Sequence, residues 1–250
     1  MENKEYSVLI GNRAAPFMNE LARTSALATN FFAITRPSLP NYIAILGGDT
    51  LGIRSNCTSC RLRENNLVDQ FEEAGVSWKA YMEAMPTRCF LGASNGRYAK
   101  KHNPFAYFDT ITTNRARCAN VVPMTELARD MATGLPDFVW ITPDLCNDTH
   151  DCAVAVGDRF LSRLVPLLVD ALGPRSVLFI TYDEGATTRG CCGDAAGGHI
   201  VTIATGPGAK PGRYSQPLTH YSLLRAIEDH FGLPRLRRAA TAPDMGGLLR

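Results

Sequence analysis

Three apolar runs govern what this chain can become: DFVWITPD (137–144), SVLFITYDEG (176–185) and HIVTIATGPG (199–208). Each is strand-sized, rich in β-branched and aromatic residues, and closed by a polar loop. Near-continuous hydrophobicity, as opposed to strict alternation, is the pattern of strands buried on both faces. Segments with helical periodicity lie around them: APFMNELARTSALA (15–28), NNLVDQFEEAG (65–75), GDRFLSRLVPLLVDALG (157–173) and HYSLLRAIEDHFG (220–232). The alternation predicts an α/β fold with a mostly parallel central sheet and helices on both faces. No Ser/Gly/Pro-rich run or charge block divides the 250 residues, so a single domain over 1–250 is expected.

No apolar stretch reaches the roughly 20 residues of a membrane span, so no integral membrane segment is expected. Twenty-six basic against 24 acidic residues give a formal charge of +2. No basic stripe interleaved with aromatics appears, which argues against a nucleic-acid partner and for a small molecule. The eight cysteines fall into local pairs: Cys57 with Cys60, Cys146 with Cys152, Cys191 with Cys192, and Cys89 and Cys118 flanking one loop-rich stretch. That arrangement reads as disulfides formed in an oxidising compartment. A zinc site on CTSC is the weaker alternative, since no second pair follows at zinc-site spacing. No charged-then-apolar leader opens the chain, so a secreted or periplasmic protein implies a leader removed or outside this sequence.

In such sheets functional groups collect beyond the carboxyl ends of the strands. TYDEG puts Asp183 and Glu184 where a buried strand breaks at glycine; adjacent carboxylates repel unless a cation lies between them and a third group. PDLCNDTHDC gathers Asp144, Asn147, Asp148, His150 and Asp151 in one loop, able to share a metal or flank a phosphate, or simply to form an Asx-turn loop. His199 opens a strand and His220 opens a helix; of the two, His199 is the preferred further ligand. The aperiodic stretch 84–120, which holds YAKKHNPFAYF, is long enough to be functional or disulfide-braced. TRPSLPNYIAILGG (35–48) begins a helix at Ser38. That serine is either the helix cap or a nucleophile on the positive helix end, where free N–H groups also favour a phosphoryl group. No G-x-S-x-G surrounds it, which excludes the α/β-hydrolase elbow.

Taken in order, MENKEYSVLIGNRAAPFMNELA, RPSLPNYIAILGG, NNLVDQFEEAGVSWKAYMEAMP, KKHNPFAYF, WITPDLCNDTHDC, YDEG and GPGAKPG with THYSLLRAIEDHFGLP resemble a family. It comprises bacterial and fungal phosphoesterases, among them secreted acid phosphatases and phosphatidylcholine-type phospholipases C, within the alkaline phosphatase superfamily. The resemblance implies one firm divalent metal held by Glu2, Asn3, Ser38, Asp183 and Glu184, with Ser38 as the nucleophile. It places His150 and His102 at the phosphate or at a second metal, and one of them as proton donor. His199 is similar to a metal histidine of the wider superfamily, and Asp144 and Asp148 are further ligand candidates. An oxygen-rich shell suits calcium, magnesium or manganese; histidine participation shifts the choice toward zinc or iron. The implied substrate is a small phosphate monoester. The alternatives are a diester, as in a phospholipase C, or an inactive binding protein. The family carries an apolar strand before its Glu-Asn pair, whereas here Met1 opens the chain; a truncated first strand and a frayed Glu2–Asn3 are therefore expected.

Overall fold

A computed structural model describes every residue except Asp194. Helices α1 (Tyr6–Leu9) and α2 (Pro16–Thr24) lead into strand β1 (Ala26–Phe32), which is followed by helices α3 (Ser38–Gly47) and α4 (Leu67–Glu73) and strand β2 (Trp78–Met82). The stretch after β2 holds the small hairpin β3 (Ser94–Asn95) and β4 (Tyr98–Ala99) and the short helices α5 (Asp109–Thr112) and α6 (Arg115–Cys118). Strand β5 (Val121–Pro123), helix α7 (Leu127–Thr133), strand β6 (Phe138–Thr142), helix α8 (Val154–Ala171) and strand β7 (Leu178–Thr181) follow. The chain closes with β8 (His199–Thr205), β9 (Gly212–Tyr214), β10 (Leu218–Thr219) and α9 (His220–Phe231).

The α/β class is as expected, but the strands form two principal sheets rather than one. Strands β5, β2 and β6 make a wholly parallel sheet. Strands β10, β1, β8 and β7 make a second sheet in which β8 runs antiparallel to both its neighbours, while β9 and β10 pair with β1 in parallel. The run 199–208 is thus a strand, as read, with its direction reversed. The segment 15–28 is corrected as well: its helix stops at Thr24, and Ala26–Phe32 is a strand with partners on both edges. Ala and Leu favour helix locally, but the ladder hydrogen bonds on both edges and the burial of Ala26, Leu27, Ala28 and Phe31 outweigh that preference.

Two apolar cores support these sheets. Helices α2 and α8 bury Met18, Leu21, Leu161 and Val165 with β1 and β8. Helices α3, α4 and α9 bury Leu39, Ile43, Leu46, Phe71 and Leu224 with Ala80 and Met82 of β2. All ten residues of α3 are buried, so the helix that starts at Ser38 is an immobile base for whatever its first turn carries. It ends at Gly48, whose φ of 74° and whose approach to the Leu236 carbonyl, 2.5 Å from where a Cβ would lie, admit only glycine. All four expected disulfides are present: Cys57–Cys60, Cys89–Cys118, Cys146–Cys152 and Cys191–Cys192. Cys89–Cys118 braces the 84–120 stretch. No helix among the described residues is long and apolar enough to cross a membrane.

Candidate active site

Strand β1 delivers the chain to Ser38 through a five-residue turn. Asn41 shapes that turn: its Oδ1 accepts the N–H groups of Ile34 and Thr35 at 3.0 Å each, and its Nδ2 donates to the Thr35 carbonyl. Ser38 is the first helical residue of α3, after Pro37 at the cap position, and its hydroxyl makes no capping bond among the described residues. It donates instead to Glu2 Oε2 at 3.2 Å, with Glu184 Oε1 at 3.5 Å. The capping alternative is therefore set aside in favour of an Oγ aimed into a carboxylate cluster. The helix end itself offers few donors: Leu39 N–H is given to Asn56 Oδ1, and Pro37 and Pro40 have none.

Glu2 and Asn3 are the opposite of frayed. Met1 donates its amino group to the Thr181 carbonyl at 3.2 Å, and its own carbonyl accepts from Asp183 N–H at 3.0 Å. Glu2 N–H bonds to the Asp148 carbonyl, Thr149 Oγ1 donates to the Glu2 carbonyl, and Asn3 N–H donates to Asp183 Oδ1. These five bonds, running to β7 and to the 148–149 turn, replace any need for local rigidity, and Glu2 is completely buried. Glycine 185 completes the YDEG turn because a Cβ there would lie 2.5 Å from Glu5 Oε1.

The charges in this cluster do not balance. Glu2, Asp148, Asp183 and Glu184 are all buried, and His102 lies among them with Nε2 3.2 Å from Glu2 Oε2 and Nδ1 3.3 Å from Asp148 Oδ2. Burial would raise the Glu2 carboxyl, but the imidazolium of His102 outweighs it and holds Glu2 at about 2. The same pair raises His102 to about 9 against its own desolvation. Asp183 is pushed well above the usual carboxylate range by burial and then by Glu2 and Glu184. Burial and Glu2 raise Glu184 to about 7, although Arg36 and Lys101 pull it back. Asp183 Oδ2, Glu184 Oε2, Asp148 Oδ2 and His102 Nε2 have no hydrogen-bond partner among the described residues. Buried carboxylates with orphaned oxygens around one imidazole could hold a divalent cation, and Glu2, His102 and Asp148 offer ligand atoms within 4.8 Å of one another.

Other expected site residues lie elsewhere. His199 donates through Nε2 to the Thr29 carbonyl at 2.8 Å and stacks on Tyr6 at 4.5 Å, outside the cluster. His220, the less favoured histidine, is the one nearer the site: buried, lowered to about 4 by desolvation, it donates through Nε2 to the backbone carbonyl of Asp183 and so anchors the main chain there. Asp144 spends Oδ1 on the N–H groups of Cys146 and Asn147, an Asx turn rather than a ligand. His150 is part-exposed, with its ring 5.6 Å from that of His102. Tyr42, unremarked in the sequence, donates its hydroxyl to Glu2 Oε1 and stacks on His102. Its position one helical turn after Ser38 was the available signal.

The chain matches the Phosphoesterase family over residues 9–234. It is 32% identical over 247 residues to a phosphatidylinositol-3-phosphatase of Mycobacterium tuberculosis, covering 97% of this chain and 78% of that one. It is 31% identical to an acid phosphatase of Aspergillus fumigatus and 32% identical to a phosphate-repressible acid phosphatase of Penicillium chrysogenum. Each alignment covers 88% of this chain and about half of the fungal one, 52% and 55% respectively. In fold it is similar to an alkaline phosphatase superfamily protein of Vibrio parahaemolyticus (TM-score 0.62, 13% identity, 97% of this chain and 68% of that one). It is likewise similar to murine ectonucleotide pyrophosphatase/phosphodiesterase 5 (TM-score 0.62, 12% identity, 100% and 98%). Fold and site thus define a phosphoric ester hydrolase built on the alkaline phosphatase fold. Within that class, the chain belongs to the Phosphoesterase family.

Proposed function

We propose that the protein hydrolyses small phosphate monoesters with a divalent metal, through a phosphoserine formed on Ser38. The observation that carries this reading is the Ser38 hydroxyl, anchored on a fully buried helix and aimed at buried carboxylates whose outer oxygens are unpartnered. Glu2, Asp183 and Glu184, with Asp148 and with Asn3 beside Asp183, would hold the metal. Bound there, it supplies neutralisation of phosphoryl charge and a lower hydroxyl pKa. The oxygen-rich set favours calcium, magnesium or manganese.

The rest of the reaction belongs to the chain's own groups. Ser38 Oγ attacks phosphorus in line; its proton passes to the carboxylates it already faces, Glu2 or Glu184. As the Oγ–P bond forms, the bond from phosphorus to the leaving oxygen breaks, and that oxygen takes a proton from His102 or His150. Water then cleaves the phosphoserine. The four disulfides support an exported protein. The test is hydrolysis of p-nitrophenyl phosphate and of its bis-ester by wild type and Ser38→Ala, with chelator and with each metal restored. Chelator-sensitive monoester turnover lost in Ser38→Ala is expected; equal turnover by Ser38→Ala overturns the nucleophile, and a faster bis-ester rate overturns the monoester preference.

A further inference from the structure

The phosphoryl group of a substrate brings at least one negative charge to a site already crowded with carboxylates, so cations must meet it. The helix end offers the Ser38 N–H but carries no full charge, and Leu39 N–H is committed to Asn56 while Pro37 and Pro40 have no N–H. His102 is held between Glu2 and Asp148. Arg36 is half-exposed, faces Glu184 at 3.8 Å and spends one terminal nitrogen on the Ala186 carbonyl, while its other terminal nitrogen has no partner among the described residues. Lys101 is instead oriented by two further side chains. Its Nζ lies 2.9 Å from His150 Nε2, and its other two N–H donors have no partner among the described residues.

That contact determines the arrangement of the imidazole. An ammonium only donates, so Nε2 is the accepting nitrogen and the ring hydrogen sits on Nδ1, 2.6 Å from Asp151 Oδ1. Asp151, His150 and Lys101 therefore form a chain in which each member orients the next, and it ends in a cation next to His102 in sequence. The ring of His150 lies 5.6 Å from that of His102, which brings this chain to the edge of the carboxylate cluster. Two of its links lie in the loop pinned by Cys146–Cys152, so the tether is rigid.

We infer that Lys101 binds a non-bridging oxygen of the substrate phosphoryl group, and that His150 and Asp151 are positioning residues that hold its ammonium at the mouth of the site. This rests on the phosphoesterase reading and sharpens it: His150 serves Lys101, which leaves His102 as the histidine for the leaving group. The test is calorimetric titration of inorganic phosphate into metal-loaded protein on the Ser38→Ala background, where affinity is read without turnover. Lys101→Met is expected to weaken phosphate about ten-fold or more, the usual scale for a charge-assisted contact. Lys101→Arg should recover part of the loss, and Asp151→Asn should reproduce a smaller part. In the Ser38 enzyme, Lys101→Met should raise KM more than it lowers kcat, with metal content unchanged. Unaltered phosphate affinity in Lys101→Met overturns the inference, and wild-type affinity in both Asp151→Asn and His150→Gln overturns the positioning role. Failure of the phosphoesterase reading shows separately, as no monoester turnover by the Ser38 enzyme with any metal restored.

Discussion

Replacing Glu184 by glutamine is expected to stabilise the metal-free protein at alkaline pH while abolishing its response to metal. The carboxyl side chain is 5% exposed, and burial with the neighbouring Glu2 charge moves it from 4.5 to about 7. A folded-state value above the unfolded one means that the neutral form is favoured on folding. Stability is therefore full below about pH 4.5 and declines as pH rises through 7. At about 1.4 kcal/mol per tenfold change in proton affinity, the full loss is about 3 kcal/mol, most of which falls between pH 5 and pH 8. Glutamine has nearly the same shape and no charge to desolvate, so Glu184→Gln should match wild type near pH 5 and exceed it by that amount at pH 8. For a chain of this size the difference is about 5–10 °C in Tm. Differential scanning calorimetry in chelator at the two pH values reads it directly. The half-exposed Arg36 contact that is lost contributes little. Adding a divalent metal at about 100 times its Kd should raise the wild-type Tm by the equivalent of about 2.7 kcal/mol and leave the variant nearly unmoved. A Glu184→Gln effect that is destabilising at pH 8, or equal at both pH values, would refute the electrostatic account of the cluster.

Two further expectations concern the metal and the frame around it. Asp183→Asn removes a buried carboxylate with one orphaned oxygen and should lower bound metal below one equivalent by elemental analysis, while far-UV circular dichroism stays native. Removing Cys89–Cys118, which closes a 29-residue separation, by the double alanine variant should cost about 3–4 kcal/mol in denaturant melts. An unchanged midpoint would show that the 84–120 stretch is already constrained by its own contacts.

Much of the site was legible from residue type and place. Asp183 and Glu184 stand at a strand end followed by glycine, and Ser38 begins an apolar helix; these local signals, with the family motifs, pointed to groups that the fold brings together. The cysteine pairs were legible because three of the four close very short loops. Less of the arrangement was. Ala26–Phe32 reads locally as the end of a helix and becomes a strand only because β8, β9 and β10 offer ladders to it. His199 has the more suggestive setting, after two glycines, yet its ring turns to Thr29 while His220 reaches Asp183.

Short-range periodicity, spacing and composition carry the α/β class, the disulfide pairs, the helix that begins at Ser38 and the acidic residues available for a metal. Tertiary structure alone decided the reversed direction of β8, the stitching of Glu2 between Asp148 and Asp183, and the chain from Asp151 through His150 to Lys101. The reason is physical: Ser38 meets Glu184 across 146 positions, and Asn3 meets Asp183 across 180. At such separations sheet register and packing set distances, and no local propensity carries them.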